Sequence, residues 1–221
     1  MSFHRVTETA SDNRLWGEFL LFFVAAPVAI AAFLPATVMF TALFAMTAIG
    51  LVLLHFTPGF HWRDLRKGWE GVRTREVLKF SVLMLVLCLG VILLFAPDQA
   101  FNVVRQRPEL LLFIMIGYPI ASAMPQEIVF RPLFFRRYAN ILPGGQGGIV
   151  LNAGLFSMAH LMYWSWIVAA MTFAGGLVFA WAYEIRRSFP LAVILHAIAG
   201  NIIFFVGLGI YFYSGNVTRP F

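Results

Sequence analysis

Apolar residues fall in seven long runs separated by short polar breaks: Leu15–Leu34, Ala36–Phe56, Phe80–Ala96, Leu110–Phe135, Ile149–Trp164, Trp166–Tyr183 and Phe189–Tyr213. Windows of roughly 18 or more apolar residues recur, each long enough to cross a ~30 Å hydrocarbon core as a helix. Pro35 breaks the first run from the second and predicts a tight hairpin, and the Leu142-Pro143-Gly144-Gly145 turn opens the fifth. The pattern predicts an all-α, polytopic membrane bundle of about seven transmembrane helices. It forms a single membrane domain over residues 1–221, with N-terminal helices and a basic loop in 1–109 and a second part in 110–205. The first fourteen residues are polar. The Ala-rich end of the first run imitates a signal-peptidase site, and that run is read as an uncleaved anchor.

Composition sharpens this picture by exclusion. The 221 residues are 61% hydrophobic and only 12% charged, where a soluble domain runs near half and a quarter. Seven spans leave no room for a sizeable soluble domain, which excludes a DNA-binding module, a secreted disulfide scaffold and a cytosolic enzyme. Cys88 is the single cysteine and lies in an apolar run, so it forms no internal disulfide.

The net charge of +6 matters through its placement. With the amino terminus inside, twelve Lys and Arg fall on the cytoplasmic side: Arg5, Arg14, Arg63, Arg66, Lys67, Arg73, Arg75, Lys79, Arg136, Arg137, Arg186 and Arg187. Arg105, Arg107 and Arg219 fall opposite, and Arg131 lies within the fourth span. The positive-inside rule therefore predicts a cytoplasmic N-terminus and an external C-terminus. The basic stretch Thr57–Lys79 reads as an interfacial helix on anionic lipid, not as a nucleic-acid site.

Polar groups at membrane depth are costly and usually functional. The first three spans hold almost none, with Glu18 and His55 near span ends; the carboxyl-terminal half holds Gln126, Glu127, Arg131, Asn152, His160, His196 and Asn201. Glu127 and Arg131, four apart, share a helix face and suit an intrahelical ion pair, while Gln126 is turned about 100° away. Asn152, Phe156 and His160 form one stripe at spacing i, i+4, i+8. Counting ~1.5 Å per residue from the nearest cytoplasmic anchor puts Gln126, His160 and His196 at depths of about 15, 19 and 14 Å. One shared site fits these depths. Each group also has a structural reading: histidines and Asn152 as interhelical glue, Glu127–Arg131 as a fold-holding pair.

In combination these residues resemble a known family. Gln126-Glu127-Ile128-Val129-Phe130-Arg131 is similar to the E-E-x-x-x-R motif of the CPBP (CAAX protease and bacteriocin-processing, or Abi) intramembrane endopeptidases. Phe156-Ser157-Met158-Ala159-His160 matches the second motif, F-x-x-x-H, and His196 matches the histidine of the third, H-x-x-x-N. The agreement covers roughly residues 110–205. The resemblance implies a multi-pass protease of a prokaryotic cytoplasmic membrane that cuts membrane-associated peptides or protein termini. It implies that positions 126 and 160 activate a water, that His196 and Asn201 steady the oxyanion, and that Glu127 and Arg131 pair. Prenylated C-a-a-X substrates belong to the family, with nothing in this sequence selecting them.

Two positions depart from the pattern. Gln126 stands where the first Glu is expected, and an amide cannot act as general base, so hydrolysis should fall by on the order of 10² to 10⁴. Position 200, four after His196, is Gly; Asn201 comes one step late, turned about 140° on an ideal helix, and a π-bulge near Gly200 would restore it. The Gln126 departure leaves three explanations: an engineered substitution, a natural pseudoenzyme, or replacement by Glu127, which would have to leave Arg131. A zinc site at His160 and His196 is a minority alternative to a metal-free site. Competing functions are a non-catalytic membrane subunit holding a partner helix or lipid, and, more weakly, a small transporter.

Overall fold

The computed structural model describes residues 12–35 and 38–217, and no strand occurs among them. Arg5, Arg219 and Ala36, used in the readings above, lie outside the described residues. The seven apolar runs all form helices: α1 (Asp12–Phe33), α2 (Met39–His55), α3 (Thr74–Phe95), α4 (Pro108–Arg137), α5 (Gly145–Met158), α6 (Trp166–Glu184) and α7 (Phe189–Val206). Among the described residues five of them, α1, α3, α4, α6 and α7, are long and apolar enough to cross a membrane, against the seven expected. Helix α2 is apolar but shorter. Helix α5 has 14 residues, or about 21 Å of rise, well short of a ~30 Å hydrocarbon core.

The boundaries that differ have local causes. The run expected to Trp164 ends at Met158, and Leu161–Tyr163 winds into a tighter 3₁₀ turn. Trp164 then takes a left-handed backbone, and the Ser165 hydroxyl caps α6 by accepting from the Val168 amide at 3.4 Å. The seventh run, expected to Tyr213, stops at Val206. Gly207 adopts φ +102°, and a Cβ there would lie 2.1 Å from the Gln99 carbonyl oxygen, so only glycine fits this cap.

The basic loop is not the single interfacial helix expected. It forms two 3₁₀ turns, Trp62–Arg66 and Trp69–Gly71, and α3 begins at Thr74, earlier than the apolar run. The loop is held on the bundle by three side chains, one on α4 and two in the connection between α6 and α7. Arg136 Nη1 donates to Asp64 at 3.0 Å, the Ser188 hydroxyl donates to the Gly68 carbonyl at 2.7 Å, and Arg186 bonds both Glu76 and the Gly71 carbonyl. Arg137 and Tyr138 both donate to Glu18 on α1. The segments grouped on one side by the charge count are thus gathered at one end of the bundle.

Aromatic rings fill the core between α1, α4, α5 and α6. Phe23 meets Phe130 edge-on with centroids 5.6 Å apart, and Phe130 meets Phe156 likewise at 5.0 Å. Helices α5 and α6 pack closely because Gly176 lies against Ala153, where a Cβ would sit 3.0 Å from the Ala153 Cα. Helix α3 buries Cys88 and Ile92 and turns Leu78, Val82, Leu83, Val86, Leu87 and Leu94 outward. That exposed apolar face suits lipid, and the chain is an integral membrane protein by the length and composition of these helices.

Candidate active site

Helix α4 carries most of the site and is not a regular α-helix. Two stretches, Pro119–Ala123 and Val129–Arg137, widen into π turns with i→i+5 hydrogen bonding. Proline has no N–H to give, and Pro119 and Pro132 sit in these stretches. The π-bulge near Gly200 that would bring Asn201 into line is absent: α7 runs as unbroken α-helix, and the widening occurs on α4 instead. The first wide turn offsets the drift of an α-helix, so Tyr118, Ser122 and Gln126 follow one line along α4.

Glu127 and Arg131 form the expected ion pair, both fully buried, with Arg131 Nε donating to Glu127 Oε2 at 2.8 Å. Arg131 is satisfied further by Asn152 Oδ1, and the Asn152 amide donates to the Phe130 carbonyl at 2.7 Å. The Arg131 guanidinium also lies 5.3 Å from the Phe156 ring centroid. Every strong donor near the carboxylate is therefore matched, as a buried charge requires.

The other carboxylate oxygen reaches across to α7. Glu127 Oε1 lies 2.8 Å from His196 Nδ1. A carboxylate already taking hydrogen bonds from arginine is an acceptor, so Nδ1 carries the proton and Nε2 faces outward from the pair. Nε2 lies 3.0 Å from the Tyr118 hydroxyl. Phe179 stacks on the imidazole with centroids 4.8 Å apart and planes 11° apart, and Phe156 closes a second side edge-on.

His160 lies just past the end of α5, not within it, yet its ring still covers Phe156 at 4.7 Å. Its Nδ1 is 2.7 Å from the Phe156 carbonyl oxygen. A carbonyl can only accept, so Nδ1 donates and the neutral ring offers Nε2 as a base. His160 and His196 thus flank the same phenylalanine. Gln126 Nε2 donates to the Ser122 hydroxyl at 2.9 Å, while its Oε1 is buried without a hydrogen-bond partner among the described residues. Gln126 also borders an apolar cleft lined by Phe22, Phe23, Ile30, Met46 and Val129.

Asn201 is turned away from this cluster. Its amide donates to the Met115 carbonyl at 3.1 Å, one turn before Tyr118 on α4. Sequence reasoning missed Tyr118 and Ser122, which lie in an apolar run with no motif to mark them; their spacing of four before Gln126 is the one signal they carried.

Residues 108–202 match the family model described as Rce1-like, Type II CAAX prenyl endopeptidase Rce1-like. This segment is similar to the Rce1-like CAAX endopeptidases. The match begins at the first residue of α4 and ends one residue past Asn201, so the Rce1-like segment contains all the site groups named above and a little less than half of the chain. It bears out the resemblance to the CPBP family carried by the three motifs. No curated protein and no solved structure matches the chain.

The ring nitrogens of the two histidines differ in what they meet. His196 uses Nδ1 on Glu127 and Nε2 on Tyr118, and Gln126 is a neutral amide. Among the described residues no three His, Cys, Asp or Glu side chains are grouped as metal ligands.

Proposed function

We propose that this protein is a CPBP-like intramembrane endopeptidase whose rate is held down by Gln126. Its substrates are membrane-associated peptides or protein termini, cut near the cytoplasmic leaflet. The observation that carries this reading is the Glu127–His196 hydrogen bond, which joins the first and third motifs of the Rce1-like segment inside a helical bundle. The apolar cleft beside Gln126 supports a substrate that arrives through lipid. The gathering of cationic segments at one end supports a cytoplasmic N-terminus.

Hydrolysis adds a water oxygen to the peptide carbonyl carbon while a base takes the water proton. The carbon–nitrogen bond then breaks, and that proton passes to the leaving amine. His160 Nε2 can accept such a proton. A glutamate at 126 would be the second acceptor, whereas the glutamine amide takes none. Glu127 is fixed by Arg131 and His196 and serves to orient His196, so it does not replace the missing base. The proposed chemistry uses these side chains without a metal.

Gln126 itself favours a second reading, a non-catalytic membrane subunit that keeps the bundle and binds a partner helix or lipid. Cleavage of host membrane peptides in reconstituted vesicles, read by mass spectrometry, separates the two. The Gln126→Glu chain should cut at least about 10²-fold faster than the unaltered chain. Adding His160→Ala should abolish the gain. If no variant cuts where a related active protease does, the protease reading falls and the scaffold reading replaces it.

A further inference from the structure

The third motif of this chain lacks its asparagine at the expected place, and the structure explains what fills the space. Gly200 stands four residues after His196, and its Cα faces the Tyr118 ring. A Cβ at position 200 would lie 2.0 Å from Tyr118 Cε1, 2.3 Å from Cζ and 2.6 Å from the hydroxyl oxygen. No side chain fits at 200 while Tyr118 keeps this position, so the glycine and the tyrosine form one packing unit. Asn201 gives an amide hydrogen to the Met115 carbonyl on the neighbouring helix turn at 3.1 Å, which draws it toward that turn of α4, and its Oδ1 is buried without a partner among the described residues.

We propose that the Tyr118 hydroxyl takes over the oxyanion-stabilising place that the motif asparagine would hold. This rests on the protease reading above. The tyrosine brings its hydroxyl to within 3.0 Å of His196 Nε2, and its ring occupies the space that a side chain at position 200, one turn after His196, would enter. Its O–H can flip between its two in-plane orientations and so donate either to Nε2 or to a substrate carbonyl oxygen as that oxygen gains charge. On its other side lies Ser122, which accepts the hydrogen bond from Gln126. The hydroxyl therefore stands between the imidazole of His196 and the side chain at 126, where a carbonyl attacked by a water held at 126 would lie. The π turn that begins at Pro119 keeps Tyr118 on the same line as Ser122 and Gln126.

The test is steady-state kinetics on the Gln126→Glu chain in vesicles, using the peptide cleavage that this variant displays. In that background Tyr118→Phe should lower kcat by about 10²-fold or more, the usual loss for one oxyanion donor. KM should stay within about twofold, because the contact forms in the transition state. Asn201→Ala should change kcat less than about threefold, as expected of a side chain off the reacting centre. Rebuilding the motif supplies the positive control: Tyr118→Ala/Gly200→Asn should recover at least about tenfold of the activity lost in Tyr118→Ala, since the asparagine regains both room and a donor. Thermal unfolding in detergent accompanies each variant, and Tyr118→Phe keeps the ring, so it should stay folded. A folded Tyr118→Phe chain with undiminished kcat overturns the assignment while leaving the protease reading intact. Loss of kcat in Asn201→Ala with none in Tyr118→Phe assigns the donor to Asn201 instead. If Gln126→Glu does not cut at all, the protease reading fails and takes this assignment with it.

Discussion

His196 Nδ1 and Glu127 Oε1 lie 2.8 Å apart although 69 residues separate them in the chain. The contact makes one network of three helices: Asn152 and Glu127 hold Arg131, Glu127 holds His196, and His196 meets Tyr118. A carboxylate with this many donors is firmly placed, and it fixes the imidazole's tautomer through the proton it accepts.

Arg131→Ala should destabilise the protein strongly. It leaves Glu127, fully buried, with a charge and too few donors, a situation that costs about 3–5 kcal/mol. Replacing both partners by neutral groups of similar volume, Glu127→Gln with Arg131→Met, should cost less than the single change. Unfolding in mixed detergent, followed by circular dichroism, measures the order. A smaller loss for Arg131→Ala than for the double variant would contradict the paired role.

Acidification should loosen the loop at the basic end. Burial opposes ionisation of Asp64, but the hydrogen bonds from Lys67 and Arg136 outweigh it and hold its carboxyl down to about 2. A carboxyl depressed in the folded state contributes its stability above the unfolded value of about 4, and loses it as pH falls toward the folded value. The stability difference between the unaltered chain and Asp64→Asn should therefore be constant from neutral pH to about 4 and shrink between about 4 and 2. Protease protection of the 57–73 loop across that range gives the readout.

The clasp between α1 and the end of α4 should be worth more than a surface ion pair. Glu18 accepts from Arg137 Nη2 at 2.7 Å and from the Tyr138 hydroxyl at 2.6 Å, and Tyr138 is fully buried. Glu18→Ala leaves both donors without their acceptor and should cost about 2 kcal/mol, against under 1 for an exposed pair. Hydrogen exchange should rise first in residues 12–20 if α1 detaches there. Uniform protection in the variant would show that the aromatic packing alone holds α1.

The architecture was legible because lipid imposes a blunt rule, long apolar runs, and each run became a helix. The Glu127–Arg131 pair was legible from spacing alone, since both residues share one helix and one face. Tyr118 was not. It sits in an apolar stretch, and its importance depends on the absence of a side chain at Gly200, a helix away. The length of α5 was equally hidden: Leu161, Met162, Tyr163 and Trp164 continue the apolar pattern, but the left-handed Trp164 and the Ser165 cap end the helix before them. The loop at 57–73 departed from its amphipathic reading because partners distant in sequence, Arg136, Arg186 and Ser188, tie it to the bundle.

The wide turn at Pro119–Ala123 sets the phase between the two halves of α4. Upstream, Tyr118 is referred to His196; downstream, Glu127 is referred to both Arg131 and the same histidine. Both alignments hold at once because the turn absorbs the angular mismatch that regular winding would leave. Rewinding this turn as regular α-helix with all its residues kept would rotate one half against the other by about 100°, enough to keep either partner of His196 but not the two together. The imidazole is in this sense a gauge of helix phase, and a change in the winding of α4 would be registered there before it was registered anywhere on the surface.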